Sequence, residues 1–267
     1  MKQVNLIVDY IRSKTDIVPE YAIIVSMGFK DIVDKIDDKV IVKLADIKGL
    51  NVLGKDIKNR YVIGKLGGKP IIALVGRMHS YLGYNANDYS APLFALKELG
   101  CKVLIPCTAL GAINFRYKVG DIFLAEDYIN NTGESPLNGL EDKYGSRYFD
   151  LSHPYKKEYN QKALKIAKSL GLRIREGVLI EFCGPNGESP AEIKMARLFG
   201  ADAVGSNIIK ETILAKYCGL KVLSVNLITN YASGVSHSRI KYEDIHYNMD
   251  VSSDYFCDYL QEIIKTL

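Results

Sequence analysis

Apolar positions recur along the chain in two rhythms. Val4, Ile7, Val8 and Ile11 follow helical spacing, which predicts a helix within residues 3–14 that packs one stripe on a core. Short continuous apolar runs come next, at residues 21–25 (YAIIV), 71–75 (IIALV) and 102–106 (KVLIP). Runs of this length, closed by Ser, Gly or Cys, predict buried strands. Residues 119–125 (VGDIFLA) predict another strand, and residues 91–100 (APLFALKELG) predict a helix that stops on Gly100. Residues 39–70 are less regular, with Gly64, Gly67 and Gly68 marking turns. Helices are predicted over 156–170 and over the closing stretch 253–267. The segment 178–236 organises the rest, reading as strand, Gly/Pro loop, helix, short strand, helix and strand. This β-α-β-α rhythm predicts a three-layer α/β fold.

Composition narrows the picture. The chain has 267 residues, 48% hydrophobic and 25% charged, with no Pro/Gly/Ser-rich linker, so residues 1–267 are read as one domain. The net charge of +4 is spread out and no Lys/Arg run occurs, which argues against a nucleic-acid partner. No apolar run reaches the roughly 18 residues of a membrane helix, and the N-terminus lacks the pattern of a signal peptide. The five cysteines (Cys101, Cys107, Cys183, Cys218 and Cys257) are scattered, with no C-x-x-C pair. They are expected to be buried packing residues of a cytoplasmic protein, neither disulfide-bonded nor zinc-bound.

The candidate chemistry lies where strands end. Ser26 and Gly28 follow the strand at 21–25 and can offer a hydroxyl and backbone N–H groups to an anion. Arg77 and His79 stand two apart after the strand at 71–75, so an extended backbone points both the same way. Guanidinium and imidazole can then grip one oxyanion. In the segment 178–236 the polar residues Glu188, Ser206, Asn207, Glu211 and Asn230 fall at element ends, where open α/β sheets collect ligands. Glu188 can accept from the N1–H and exocyclic amine of a purine, and Asn230 can hold N7 and a 6-oxo group. With phosphate as the anion, this set suits phosphorolysis of an N-glycosidic bond, which requires no metal or organic cofactor. A polar excursion at 131–155 is long enough to be functional or to make a subunit contact. His237 and His246 lie in a second irregular segment, 231–250, and are read equally as surface residues. No nucleophile elbow, dinucleotide fingerprint, phosphate-binding P-loop or zinc-protease motif occurs.

Six ordered motifs carry a resemblance over about residues 22–230. They are GRMHSY (76–81), CTALGAIN (107–114), VGD (119–121), GPNGESPAE (184–192), GADAVG (200–205) and LITN (227–230). On these the chain resembles the trimeric purine nucleoside phosphorylases, a family that includes the methylthioadenosine and methylthioinosine phosphorylases. The resemblance implies a three-layer αβα fold with a central mixed β-sheet. It implies a phosphate site at Ser26, Arg77, His79, Ala109 and Asn207, and a base site at Glu188 and Asn230 lined by Thr108 and Val204. Catalysis would rest on Asn230, Glu188 and His79. Sugar contacts would fall on Tyr81, Ser206 and His246, with Tyr148 reaching in from a neighbouring subunit of a homotrimer. The expected ligands are a nucleoside and inorganic phosphate.

Four positions depart from the family pattern. Gly187 stands where a Phe packs on the base, Ser206 where a Met lies under the ribose, and Asn207 where a Ser or Thr binds phosphate. Val25-Ser-Met27 replaces a Gly-Ser-Gly turn. Asn230 resembles members acting on 6-oxopurines. Thr108 and the helix end ALKELGC (95–101) resemble the methylthio branch. A diverged member that binds a nucleoside with little turnover stands as a third alternative.

Overall fold

A computed structural model describes residues 2–54, 58–236 and 239–267. A six-stranded sheet forms the centre of the fold. Its parallel strands β1 (Tyr21–Val25), β4 (Lys69–Val75), β5 (Val103–Cys107) and β10 (Lys221–Val222) are extended at one side by antiparallel β3 (Arg60–Leu66) and β2 (Asp37–Lys43). Every residue of β1 is buried. Ala22 and Ile24 join one core cluster and Tyr21, Ile23 and Val25 the other, because successive side chains point to opposite faces.

Helices cover both faces. The cluster containing Ala22 and Ile24 includes buried residues of α1 (Lys2–Arg12), α2 (Ala86–Glu98) and α5 (Ile208–Tyr217). The other cluster includes residues of α3 (Lys157–Ser169) and α6 (Tyr242–Thr266). The three-layer α/β expectation is met, with one addition. The sheet does not run on as a single surface. Strands β6 (Ala109–Ala112), β7 (Ile122–Asn130), β8 (Ile174–Glu181), β9 (Ala203–Gly205) and β11 (Val225–Tyr231) close into a barrel of mixed strand directions. β5 and β6 are separated only by Thr108, so the chain passes from open sheet to barrel at that residue. Leu227 N–H donates to the Thr108 carbonyl and Asn226 Oδ1 accepts from the Thr108 N–H.

Four elements differ from the sequence expectation. β2 and β3 occupy the stretch read as irregular. β2 is an edge strand whose only fully buried residue is Val42, which leaves little alternation to detect. β6, for which no strand is predicted, is a strand because the barrel supplies partners on both sides. α6 begins eleven residues ahead of the expected 253, since over its first turns the apolar residues that turn inward are only Ile245 and Met249. Cys183, expected to be buried, is exposed, whereas the other four cysteines are buried.

Candidate active site

The ends of three parallel strands are level. Val25 pairs with Val75 on one side and with Cys107 on the other, so Ser26, Gly76 and Thr108 leave the sheet at one height, with Arg77 one residue beyond. Gly76 makes the turn after β4. It has φ of 94°, and a Cβ there would stand 1.9 Å from Asn59 Oδ1. Only glycine fits such a site. The close approach lets Asn59 Nδ2 donate to the Arg77 carbonyl at 3.2 Å.

Arg77 is buried and anchored. Its Nε and Nη2 donate to Glu211 Oε1 and Oε2 at 2.7 and 3.2 Å, and Nη2 also donates to the Cys107 carbonyl at 2.9 Å. Nη1 and Ser26 Oγ are buried with no hydrogen-bond partner among the described residues. Burial raises the Glu211 carboxyl, and the Arg77 charge opposes that rise. His79 is held neutral. Burial first, then the Arg77 and Lys210 charges, lower its pKa to about 4. Lys210 is itself buried, with Nζ donating to Ser80 Oγ at 2.7 Å and Glu134 Oε2 at 3.0 Å.

Ser26, Arg77, His79, Thr108 and His246 line one lobe of a cleft, of about 460 Å³. A second lobe of about 490 Å³ holds Glu188, Val204, Asn230 and Gly187. Tyr81, Ala109, Ser206, Tyr242 and Ile245 border both lobes, so the two adjoin. In the second lobe Asn230 is fixed from two sides. Its Oδ1 accepts from Thr229 Oγ1 at 2.9 Å and its Nδ2 donates to the Tyr231 carbonyl at 3.0 Å. Gly111, opposite Asn230 in the β6–β11 pairing, leaves room for that amide, since a Cβ would come within 3.2 Å of Nδ2. Burial raises the Glu188 carboxyl above the ordinary glutamate value. Among the described residues no atom lies within 4 Å of where a Gly187 Cβ would stand, so the lobe is open on that side.

The cleft thus gathers all but two of the residues that the resemblance assigns to the site. Tyr148 is 96% exposed and lies away from both lobes of its own chain. Asn207 sits behind His79 and lines a cavity of about 40 Å³ together with Arg77, Lys210 and Glu211. His237 lies outside the described residues. His246 is exposed on α6, its ring edge-on to Tyr242 at 4.6 Å.

Three kinds of residue escaped the sequence reading. Tyr242 and Ile245 border both lobes because α6 starts early. Lys210, one turn into α5, gives no signal of burial in its sequence context. Glu181, at the end of β8, is wholly buried. Its Oε1 accepts from the Ile209 N–H at 3.0 Å, serving α5 as a cap that Asn207 does not provide, while Oε2 has no partner among the described residues. Burial, reinforced by the charge of Glu211, raises its pKa to about 7. The folded-state value lies above that of an unfolded glutamate. Its contribution to stability is therefore complete at low pH and is lost as pH rises through about 7. Relative to a Glu181→Gln variant, the wild type should lose on the order of 3 kcal/mol between about pH 5 and about pH 8. Thermal melts of the two proteins across that range check this. A constant difference would show that Glu181 does not titrate there.

Residues 20–265 match the model of the phosphorylase superfamily, and the chain belongs to that family. Purine nucleoside phosphorylase 1 of Geobacillus stearothermophilus is 31% identical over 260 residues, covering 97% of this chain and 95% of that protein. Purine nucleoside phosphorylase 1 of Bacillus subtilis is 34% identical over 229 residues, 85% of this chain and 84% of the relative. The crystal structure of a Schistosoma purine nucleoside phosphorylase in complex with hypoxanthine aligns with a TM-score of 0.94 at 28% identity. That alignment covers 100% of this chain and 98% of the other. The Schistosoma mansoni enzyme in complex with inosine aligns with a TM-score of 0.92, at 28% identity.

Proposed function

We propose that the protein is a pentosyltransferase that cleaves the N-glycosidic bond of a 6-oxopurine nucleoside with inorganic phosphate, releasing free base and ribose 1-phosphate. The observation that carries this reading is the adjoining pair of chemically distinct lobes. One is lined by Ser26, Arg77 and neutral His79, and Ser26 Oγ and Arg77 Nη1, without a partner among the described residues, are donors suited to an oxyanion. The other presents Glu188 and Asn230, an acceptor and a mixed amide suited to the edge of a purine. Relatives named purine nucleoside phosphorylase, and solved relatives holding hypoxanthine or inosine, support the same substrate class.

In this chemistry a phosphate oxygen bonds to the anomeric carbon as the bond from that carbon to N9 breaks. The electron pair of the broken bond passes into the purine ring, which leaves as the neutral base on taking up the proton that the monohydrogen phosphate gives up. Ser26, Arg77, His79 and the Ala109 backbone orient the phosphate, and Tyr81, Ser206 and His246 border the sugar. Glu188 and Asn230 hold the base, with Thr108 and Val204 alongside. No metal or organic cofactor takes part in these steps. We further assign Tyr148, exposed on its own chain, to the cleft of a neighbouring copy in a cytoplasmic homotrimer.

A second reading has its own support. Tyr242 and Ile245 border both lobes, and Met249 lies beside them in the first. This apolar wall suits a 5′-methylthio group as well as a hydroxyl. Base release from inosine, guanosine, adenosine and the 5′-methylthio nucleosides, with and without phosphate, tests both. Phosphate-dependent release from inosine or guanosine supports the first reading, and preference for a methylthio nucleoside supports the second. Release that ignores phosphate would refute both.

A further inference from the structure

Asn207 connects β9 to α5 with a backbone φ of 71°. Asparagine tolerates this left-handed conformation better than most residues. Its carboxamide does not cap α5, whose Ile209 N–H is taken by Glu181. It lies instead against His79, with Nδ2 on Nδ1 at 2.5 Å. The imidazole also stacks on Tyr81, the ring centroids 4.7 Å apart. The ring is thus held on an edge by Asn207 and on a face by Tyr81, while it lines the lobe that contains Ser26 and Arg77. A neutral imidazole carries one ring proton. If Nδ1 accepts from the Asn207 amide, that proton is on Nε2.

We propose that Asn207 is a positioning residue that fixes His79 as the Nε2–H tautomer, so that the ring offers a donor to the oxyanion rather than a lone pair. The proposal rests on the phosphate-site reading and deepens it. The opposite arrangement, with Oδ1 accepting from Nδ1–H, would leave a lone pair on Nε2 among the donors Ser26 and Arg77, repelling the same anion they attract. The assignment also revises the role that sequence position implies for Asn207. Its amide is committed to His79 and it lines the small cavity behind the cleft, so it acts on phosphate through the imidazole.

Nitrogen NMR of histidine-labelled protein, with the His79 signals assigned through a His79→Gln variant, reads the tautomer directly. The wild type is expected to carry Nε2–H. Asn207→Gly keeps the left-handed backbone and deletes the amide. It is expected to give a mixture of tautomers and to raise the phosphate KM about tenfold, as for loss of a hydrogen bond to a charged group, with the nucleoside KM unchanged. Asn207→Asp keeps the shape but can only accept, and is expected to switch the ring to Nδ1–H. Near-UV circular dichroism checks that both variants keep native packing. An Nδ1–H tautomer in an active wild type, or a ring unaltered in Asn207→Gly, would overturn the proposal alone. Absence of phosphate-dependent base release from the wild type would overturn the reading beneath it.

Discussion

Replacing Asn230 by alanine is expected to lower kcat by about 10²–10³, with a much smaller change in nucleoside binding. As the glycosidic bond lengthens, negative charge collects on the departing purine, and N7 becomes a stronger acceptor. A donor already aimed at N7 gains more in the transition state than in the ground state, and only such a difference speeds the chemical step. The surroundings of Asn230 supply the required rigidity. Thr229 Oγ1 holds its Oδ1 and the Tyr231 carbonyl takes one Nδ2 hydrogen, which leaves the second Nδ2 hydrogen for the base. A loss of about 10²–10³ corresponds to roughly 2.7–4 kcal/mol of transition-state stabilisation. Steady-state kinetics on inosine separates the possibilities. A raised KM at unchanged kcat would mean that Asn230 binds ground and transition states equally, and the proposed role would be lost.

The sequence carried the front of this site better than its support. Ser26, Arg77 and His79 were legible because β1 and residues 71–75 of β4 are short apolar runs whose ends are easy to find, and because two residues of spacing sets a common direction. The supporting contacts depend on tertiary register. The Arg77–Glu211 pair joins residues 134 apart, and the Asn207 contact to His79 joins residues 128 apart. No local pattern announces either. Glu181 reads as a strand-end glutamate, and its burial follows only from the closure of the barrel around it. The first half of α6 was hidden for a different reason. Only two apolar residues face inward there, too few for a helical stripe, yet it places Tyr242 and Ile245 over the cleft. At Asn207 the structure adds a contact that position in a motif does not announce, the carboxamide lying against the His79 ring.

Arg77→Ala should do two separable things, and the Glu211 pair is the reason. The side chains of Arg77 and Glu211 are 5% and 11% exposed. Removing the guanidinium therefore leaves a buried carboxylate with no counter-charge, a change that costs about 3–5 kcal/mol. In a chain of this size that is a fall in Tm of roughly 6–20 °C. The phosphate KM should rise as well, because Nη1, which has no hydrogen-bond partner among the described residues, disappears with the side chain. A single variant cannot tell an anion ligand from a scaffold. The double variant Arg77→Ala/Glu211→Gln can, since the neutral amide removes the stranded charge. It is expected to recover much of the lost Tm while the phosphate KM stays at least about tenfold above wild type. Recovery of phosphate affinity together with stability would show that Arg77 serves only to neutralise Glu211, and the anion grip would then have to rest on Ser26, His79 and the backbone alone.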